Sequence, residues 1–375
     1  MKTNIQEVKS KKDLKKFIRF PFDLYKNNPY WIPPMIHSEL QTFQPKKNPA
    51  FDYCDAKYWL AYRENIIVGR IVGIINHRSI EIWKKKNARF GWIDFIDDFE
   101  VSKILLETVE NWAKSKGMEA VHGPLGFTDM DHEGMLIEGF NELGTLATIY
   151  NHTYYPIHME SHGYVKDADW MEYEVKVPTS IPEKAEKIAQ IVLERKKIKV
   201  LKFKKSKDLL PYAHKLFKVL NESFVNLYSF VSLTDKQINL YVKQYFPNIV
   251  PDFVKVLIDE KDEVAGFVIA MPSLSRAMQK TKGRMLPFGF IHFLKALKSN
   301  KYIDLYLGAI RPDLQGKGAD ALLMTELAKT CIERGIISAE TNPELEENVK
   351  VQSHWKYFES RQHKRRRCYI KYLSR

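Results

Sequence analysis

The chain has 375 residues, 45% hydrophobic and 13% aromatic, with a formal net charge of +13, which is long for one core and apolar enough for two domains of ordinary size. No apolar run reaches the length of a membrane span and residues 1–7 lack a signal-peptide core, so the protein is expected to be soluble and cytoplasmic, its oligomeric state open. Cys54, Cys331 and Cys368 are scattered without CxxC spacing, which suggests a reducing compartment and no disulfide frame. Lysine and arginine are spread through the chain, and the densest cluster, residues 363–371 with Tyr369 and Tyr372, reads as a final strand with a solvated basic face rather than a nucleic-acid patch.

Residues 5–8 read as a short strand, and Leu14, Phe17 and Ile18 space a helix that Pro21 breaks or kinks. The proline-rich, aromatic residues 28–34 are expected to cross the surface. Residues 58–62 and 67–76 form two strands about a turn at Glu64-Asn65, with Arg70 an outward or partnered strand residue. After a strand at 90–96, Val101, Leu105, Val109 and Trp112 space a helix that Asp98 caps and Gly117 ends. Residues 120–125 give a strand, 154–162 a short helix and 169–177 a further strand. Between these lies an oxygen-rich loop with Asp129, Asp131, His132 and Glu133. Without a fixed ligand spacing it reads as turns and caps rather than a metal site, and as the polar wall of a substrate pocket that Tyr150, Asn151 and Tyr154 also line.

A seam is expected at 179–182, followed by a charged helix at 183–195 placed between the halves. Residues 198–203 open the second half, a helix covers 207–224, and Thr234 starts another with Asp235 in its first turn. A hairpin of 253–258 and 264–270 follows. Residues 273–298 read as an additional solvated loop whose Arg276, Lys280, Lys282 and Arg284 face solvent, a cofactor's ribose phosphate or an acidic substrate. Residues 302–310 form a strand, and Leu323, Leu327, Ala328, Cys331 and Ile332 stripe a helix from 319 to 334 that Gly335 stops. A further strand is expected at 336–341.

Between strand and helix stands Gln315-Gly-Lys-Gly-Ala319. Gly316 and Gly318 let the backbone approach a ligand, and the helix points its first free N–H groups and positive dipole end at the same place, which makes a phosphate seat. A dinucleotide fold needs a third glycine and a later acidic ribose partner, and a nucleoside-triphosphate loop needs Gly-Lys-Ser or Gly-Lys-Thr; both are absent. The stretch closely resembles the pyrophosphate loop of GCN5-related N-acetyltransferases (GNAT), except that Asp320 stands where that family usually has Gly or Ala.

The resemblance implies an α/β fold with mixed sheets and two GNAT-like domains in tandem. The domains are expected at 1–178 and 198–375, joined by a linker helix at 179–197. The first lacks a phosphate loop, because Asp97, Asp98 and Glu100 occupy the start of its helix and would repel a pyrophosphate. The resemblance further implies acyl transfer from acetyl-CoA or another acyl-CoA to the amine of a small molecule or peptide. Leu307, Gly308, Ala309, Gln315, Gly316, Lys317, Gly318, Ala319 and Asn348 would bind the cofactor. Tyr357 would protonate the leaving thiolate, although the usual spacing from Asn348 falls on Trp355. Glu340 or Asp304 would take the amine proton. The tandem arrangement also resembles N-myristoyltransferases and the Fem-type aminoacyltransferases, whose aminoacyl-tRNA would suit the chain's basicity. A non-catalytic tandem-GNAT binding module is the third alternative.

Overall fold

The computed structural model describes residues 2–374, the side chains of Arg195, Lys196 and Ser353 excepted. Contacts divide the chain into two compact units, one of Met1–Met171, Ser275–Phe290 and Lys364–Arg375, the other of Glu172–Leu274 and Ile291–His363.

In the first unit β1 (Asn4–Glu7), β2 (Cys54–Arg63), β3 (Ile66–Asn76) and β4 (Asn87–Phe95) pair antiparallel in order. Glu64 and Asn65 both take positive φ, 45° and 68°, giving the tight turn that a twisted hairpin requires. Then β5 (Ala120–Gly123) lies parallel to β4, Asn87 opposite Ala120, after a crossover through the helix Phe99–Ser115. Strand alternation sorts the core into two layers. Val72 and Ile74 pack with Leu14, Phe17 and Ile18 of the helix Lys11–Leu24, whereas Ile71 and Ile75 pack with Val101, Leu105 and Val109. The unit also holds the short β6 (Met135–Glu138) and the first residues of β7 (Val165–Lys176).

The second unit repeats that arrangement. Strands β8 (Lys199–Leu201), β9 (Val254–Ile258), β10 (Val264–Pro272) and β11 (Tyr302–Ile310) are antiparallel in order. After the helix Ala319–Glu333, β12 (Ser338–Glu340) returns parallel to β11, Tyr302 opposite Ser338. The end of β7 pairs with β12, Val175 opposite Ala339, and β13 (Glu344–Leu345) also pairs β7. The last strand, β14 (Ser360–Tyr372), gives its residues from Lys364 onward to the first unit, where Tyr369 pairs with Gly123 and Arg367 with Met135.

Three expectations change. The helix Glu183–Lys196 is no linker: Ala189 and Val192 are buried with Leu322, Leu323 and Leu327 in the second unit's core. Residues 273–298 are not a loop but contain the helices Ser275–Thr281 and Gly289–Ser299. The first of these belongs to the first unit, where Gln279 Nε2 donates to the carbonyls of Pro29 and Trp31 at 2.8 and 3.1 Å. The helix expected at 207–224 opens as a 3-10 turn, Ser206–Tyr212, and is α-helical only over Ala213–Phe224. No helix among the described residues is long and apolar enough to cross a membrane.

Candidate functional site

In the second unit β11 and β12 pair only through Tyr302–Asp304, after which β12 ends at Glu340 while β11 continues to Ile310 along β10 alone. The Arg311 N–H bonds the Ala265 carbonyl of β10 at 2.9 Å. Alternation therefore turns the N–H of Gly308 to the opposite, open edge. The Ile310 carbonyl faces that way too, and accepts from Ser223 Oγ at 2.8 Å and Gln315 Nε2 at 3.1 Å. Gly308 is exposed, and a Cβ built on it has only the Phe267 carbonyl oxygen, 3.8 Å away, within 4 Å.

The loop that follows is stiffened from within. The Arg311 guanidinium bonds Asp313 at 2.7 Å and Asp259 at 2.8 Å, Lys317 Nζ donates to the Asp313 carbonyl at 2.6 Å, and Leu314 is anchored in the core. Gln315 and Lys317 thus spend their side chains on backbone carbonyls. Gly316 and Gly318 sit at φ 70° and 87°, conformations that favour glycine. A Cβ on Gly316 would meet nothing within 4 Å, while one on Gly318 would come within 2.9 Å of Val192. Ala319 is buried and begins the helix. Asp320 is tied to His354, which holds its carboxyl below the usual range with help from the Ala321 N–H. The anion at the sixth position is thereby matched by a partner that the sequence did not reveal.

The corresponding place in the first unit is filled by protein. Asp98 caps its own helix, accepting from the N–H groups of Glu100 and Val101 at 2.9 and 3.2 Å, and bonds Arg63 at 2.8 Å, which holds its carboxyl below the usual range. Where β4 leaves β5 the chain itself enters the gap: the Leu125 N–H donates to the Phe90 carbonyl at 2.8 Å, and a Cβ on Gly91 would lie 2.5 Å from the Leu125 carbonyl oxygen. Trp92 beside it is held at φ 42°, rare for a residue with a side chain.

The first unit instead holds a partly open cavity of ≈ 70 Å³ lined by Tyr25, Glu39, Arg70, Asp94, His132, Tyr150, Asn151 and Tyr155 among others. Arg70 and Asp94 face each other in register on β3 and β4 and form a buried ion pair of 2.7 Å. Tyr25 Oη donates to Asp94 at 2.8 Å and lies 2.9 Å from Tyr155 Oη, which accepts from the Phe95 N–H at 3.0 Å. Burial, then the Asp94 charge, raises the Tyr25 phenol. Glu39 accepts from Trp92 Nε1 at 3.0 Å, and burial pushes its carboxyl up to about 7 despite Arg70. Burial lowers His132 to about 4. Sequence placed Arg70 but not this network; the available signal was an Arg and an Asp set in apolar runs of two neighbouring strands.

Of the residues expected to wall a substrate pocket, Tyr150 and Asn151 line this cavity, and Asp129, Asp131 and Tyr154 do not. Tyr150 Oη donates to the Phe140 carbonyl at 2.9 Å, and Asn151 pairs with both backbone groups of Leu136 at 2.7 and 3.0 Å, so both also act as scaffold. Tyr154 Oη donates to the Phe95 carbonyl at 2.6 Å. Asp131 accepts from the Thr128 N–H at 3.0 Å and holds the turn, burial raising its carboxyl to about 6. A different trio, His122, Asp167 and Cys368, brings three potential metal-ligand atoms within 4.8 Å of one another.

Glu340 ends β12 opposite Asp304, at the point where β11 and β12 part, and lies 3.2 Å from His363 Nε2. Asn348 precedes the short helix Val349–Gln352, its carbonyl accepting from Val351 and Gln352. Tyr357 closes a 3-10 turn and is 73% exposed. Trp355, at the spacing where the family resemblance would put the tyrosine, is only 5% exposed and donates to Glu344 at 2.9 Å, a core role.

No protein-family model matches the chain. It is 27% identical to protein YghO of Escherichia coli (strain K12), covering 97% of this chain and 94% of that one, and 28% identical to the bacterial ceramide synthase of Caulobacter vibrioides, covering 78% and 75%. Among solved structures it resembles a tandem GNAT protein from the clavulanic acid biosynthesis pathway, with TM-score 0.56, 9% identity and coverage of 100% and 99%. A GCN5-related N-acetyltransferase from Sphaerobacter thermophilus aligns with TM-score 0.52, 10% identity and coverage of 100% and 96%. The repeated strand-helix-strand plan and these full-length likenesses agree: the chain is a tandem GNAT-fold protein.

Proposed function

We propose that the protein transfers an acyl group from acetyl-CoA or another acyl-CoA to an amine. The observation that carries this is the open strand edge at Gly308 continuing into the glycine loop Gln315–Ala319 and a helix N-terminus. In this reading the Gly308 N–H polarises the thioester carbonyl, and the amides of Gly316, Gly318 and Ala319 hold the diphosphate, the Lys317 N–H being bonded to the Leu314 carbonyl at 3.2 Å. The amine nitrogen attacks the carbonyl carbon directly, forming the N–C bond as the C–S bond breaks. Glu340, placed where β11 and β12 part, takes the proton from the amine, and Tyr357 returns one to the thiolate.

The likeness to the bacterial ceramide synthase supports a long-chain amino alcohol as acceptor and a fatty acyl-CoA as donor, since a ceramide is the amide of the two. Calorimetric titration with acetyl-CoA and with a long-chain acyl-CoA tests donor binding. The Gly318→Asp variant, which puts a carboxylate and a side chain at φ 87°, is expected to abolish the heat. Heat from neither thioester in the unaltered protein would favour the non-catalytic binding module, and tight, salt-sensitive tRNA binding would favour the Fem-type reaction. Thiol release on adding sphinganine, against a short amine, tests the acceptor. Unchanged release from a Tyr357→Phe variant would assign the thiolate's proton to solvent instead.

A further inference from the structure

The helix Gly289–Ser299 buries one side chain, Phe293. Leu297 is half-buried, and the three remaining large apolar residues point to water: Phe290 is 42% exposed, Ile291 53% and Leu294 52%. At a hundred degrees per residue these three span about 100° of the helix circumference, with Phe293 about 60° beyond Phe290 on the buried side. The turn before the helix continues the pattern with Leu286, 78% exposed, and Phe288, 71% exposed. Five large apolar side chains within nine residues are more than scattered surface hydrophobics explain.

The charge around them is equally one-sided. Between Glu263 and Asp304 the chain contains no acidic residue and seven basic ones: Arg276, Lys280, Lys282, Arg284, Lys295, Lys298 and Lys301. Lys280, Lys282, Arg284, Lys295 and Lys298 are exposed, so cations lie on both sequence flanks of the apolar stretch. An apolar stripe bordered by cations is complementary to a surface that offers hydrocarbon beneath negative charge. The helix is far too short to span a bilayer but suited to lie in its interface.

We infer that residues 284–298 dock the protein on the surface of an anionic lipid bilayer, with Leu286, Phe288, Phe290, Ile291 and Leu294 entering the acyl boundary and the flanking lysines and Arg284 meeting headgroup phosphates. This does not rest on the acyl-transfer reading, and its measurement needs neither acyl-CoA nor turnover. Flotation of the full chain with phosphatidylglycerol vesicles, and with phosphatidylcholine vesicles, reads it. Binding is expected to phosphatidylglycerol, to weaken with added salt, and to be much poorer to phosphatidylcholine. Leu286→Ser with Phe288→Ser is expected to lower the partition coefficient at least about tenfold, and Lys280→Glu with Lys282→Glu to lower it by about as much. All four side chains are exposed, so unchanged thermal melting is the expected folding control. Absence of flotation with phosphatidylglycerol, or equal flotation of the Leu286→Ser, Phe288→Ser variant, would overturn the inference. So would a dimer in sedimentation that the same variant converts to monomer, since the stripe would then be covered by a second copy.

Discussion

Burial sets the Glu39 carboxyl at about 7 against an ordinary value of 4.5, and the sign of its effect on stability follows. The folded protein holds this proton more tightly than the unfolded chain does. Glu39 therefore favours folding most below pH 4.5, and that contribution is lost as pH rises through about 7. Glu39→Gln keeps an oxygen for Trp92 Nε1 and removes the charge. The variant is expected to gain on the unaltered protein between pH 4.5 and about 7, ending about 3 kcal/mol more stable at pH 8. Comparing denaturant midpoints of the two proteins across pH isolates this group, because the opposite contribution of His132, lost as pH falls towards about 4, is common to both. A flat difference across that range would refute the assignment. At this scale local grammar was legible and distant partners were not. Asp98 announced itself as a cap because its targets lie two and three residues on, and Gly316 and Gly318 as turn residues because only glycine takes their φ cheaply. The His354 partner of Asp320 lies 34 residues away, in a stretch with no periodic signal.

At the scale of elements, the same fork between a long and a short parallel strand is used in two ways. In the first unit Gly91 lets the chain at Leu125 close the fork, so Gly91→Ala must displace backbone and is expected to cost about 2–4 kcal/mol in chemical denaturation. In the second unit Gly308 borders open space. Gly308→Ala should leave the melting temperature unchanged or raised, while weakening acyl-CoA about tenfold, because the added methyl stands at the edge where a thioester would lie. A binding affinity untouched by Gly308→Ala would move the donor elsewhere. Most strands were readable because β3 and β10 are nearly continuous apolar runs beside clear turns. The helix Glu183–Lys196 was read as a linker between the halves because its charged composition hid a core-facing stripe, whereas Ala189 and Val192 let it pack on Ala319–Glu333. The helices within residues 273–298 were read as loop because basic side chains masked their apolar spacing.

For the molecule as a whole, the acyl-transfer proposal predicts one donor site, at the fork left open in the second unit. Acyl-CoA is expected to titrate with a stoichiometry of one per chain, and at a hundredfold excess over its Kd to stabilise the folded protein by about 2.7 kcal/mol. Two equivalents of equal affinity would mean that the Asp98-capped helix also accepts a diphosphate, against its charge. The tandem plan was legible because strand-helix-strand order recurs along the sequence, and the partition was not. Residues 275–290 join the first unit through contacts such as those of Gln279 with the Pro29 and Trp31 carbonyls, and the chain from Lys364 onward through strand pairing, neither of which a local pattern encodes. That last pairing has a consequence for biosynthesis. Tyr369 to Tyr372 form an edge-to-edge ladder with Gly123 to Ala120, so the first unit's β5 lacks this partner until residues far later in the chain have been made. Loss of residues 369–372 would strip β5 of its antiparallel neighbour, so damage late in the chain is felt among residues translated much earlier.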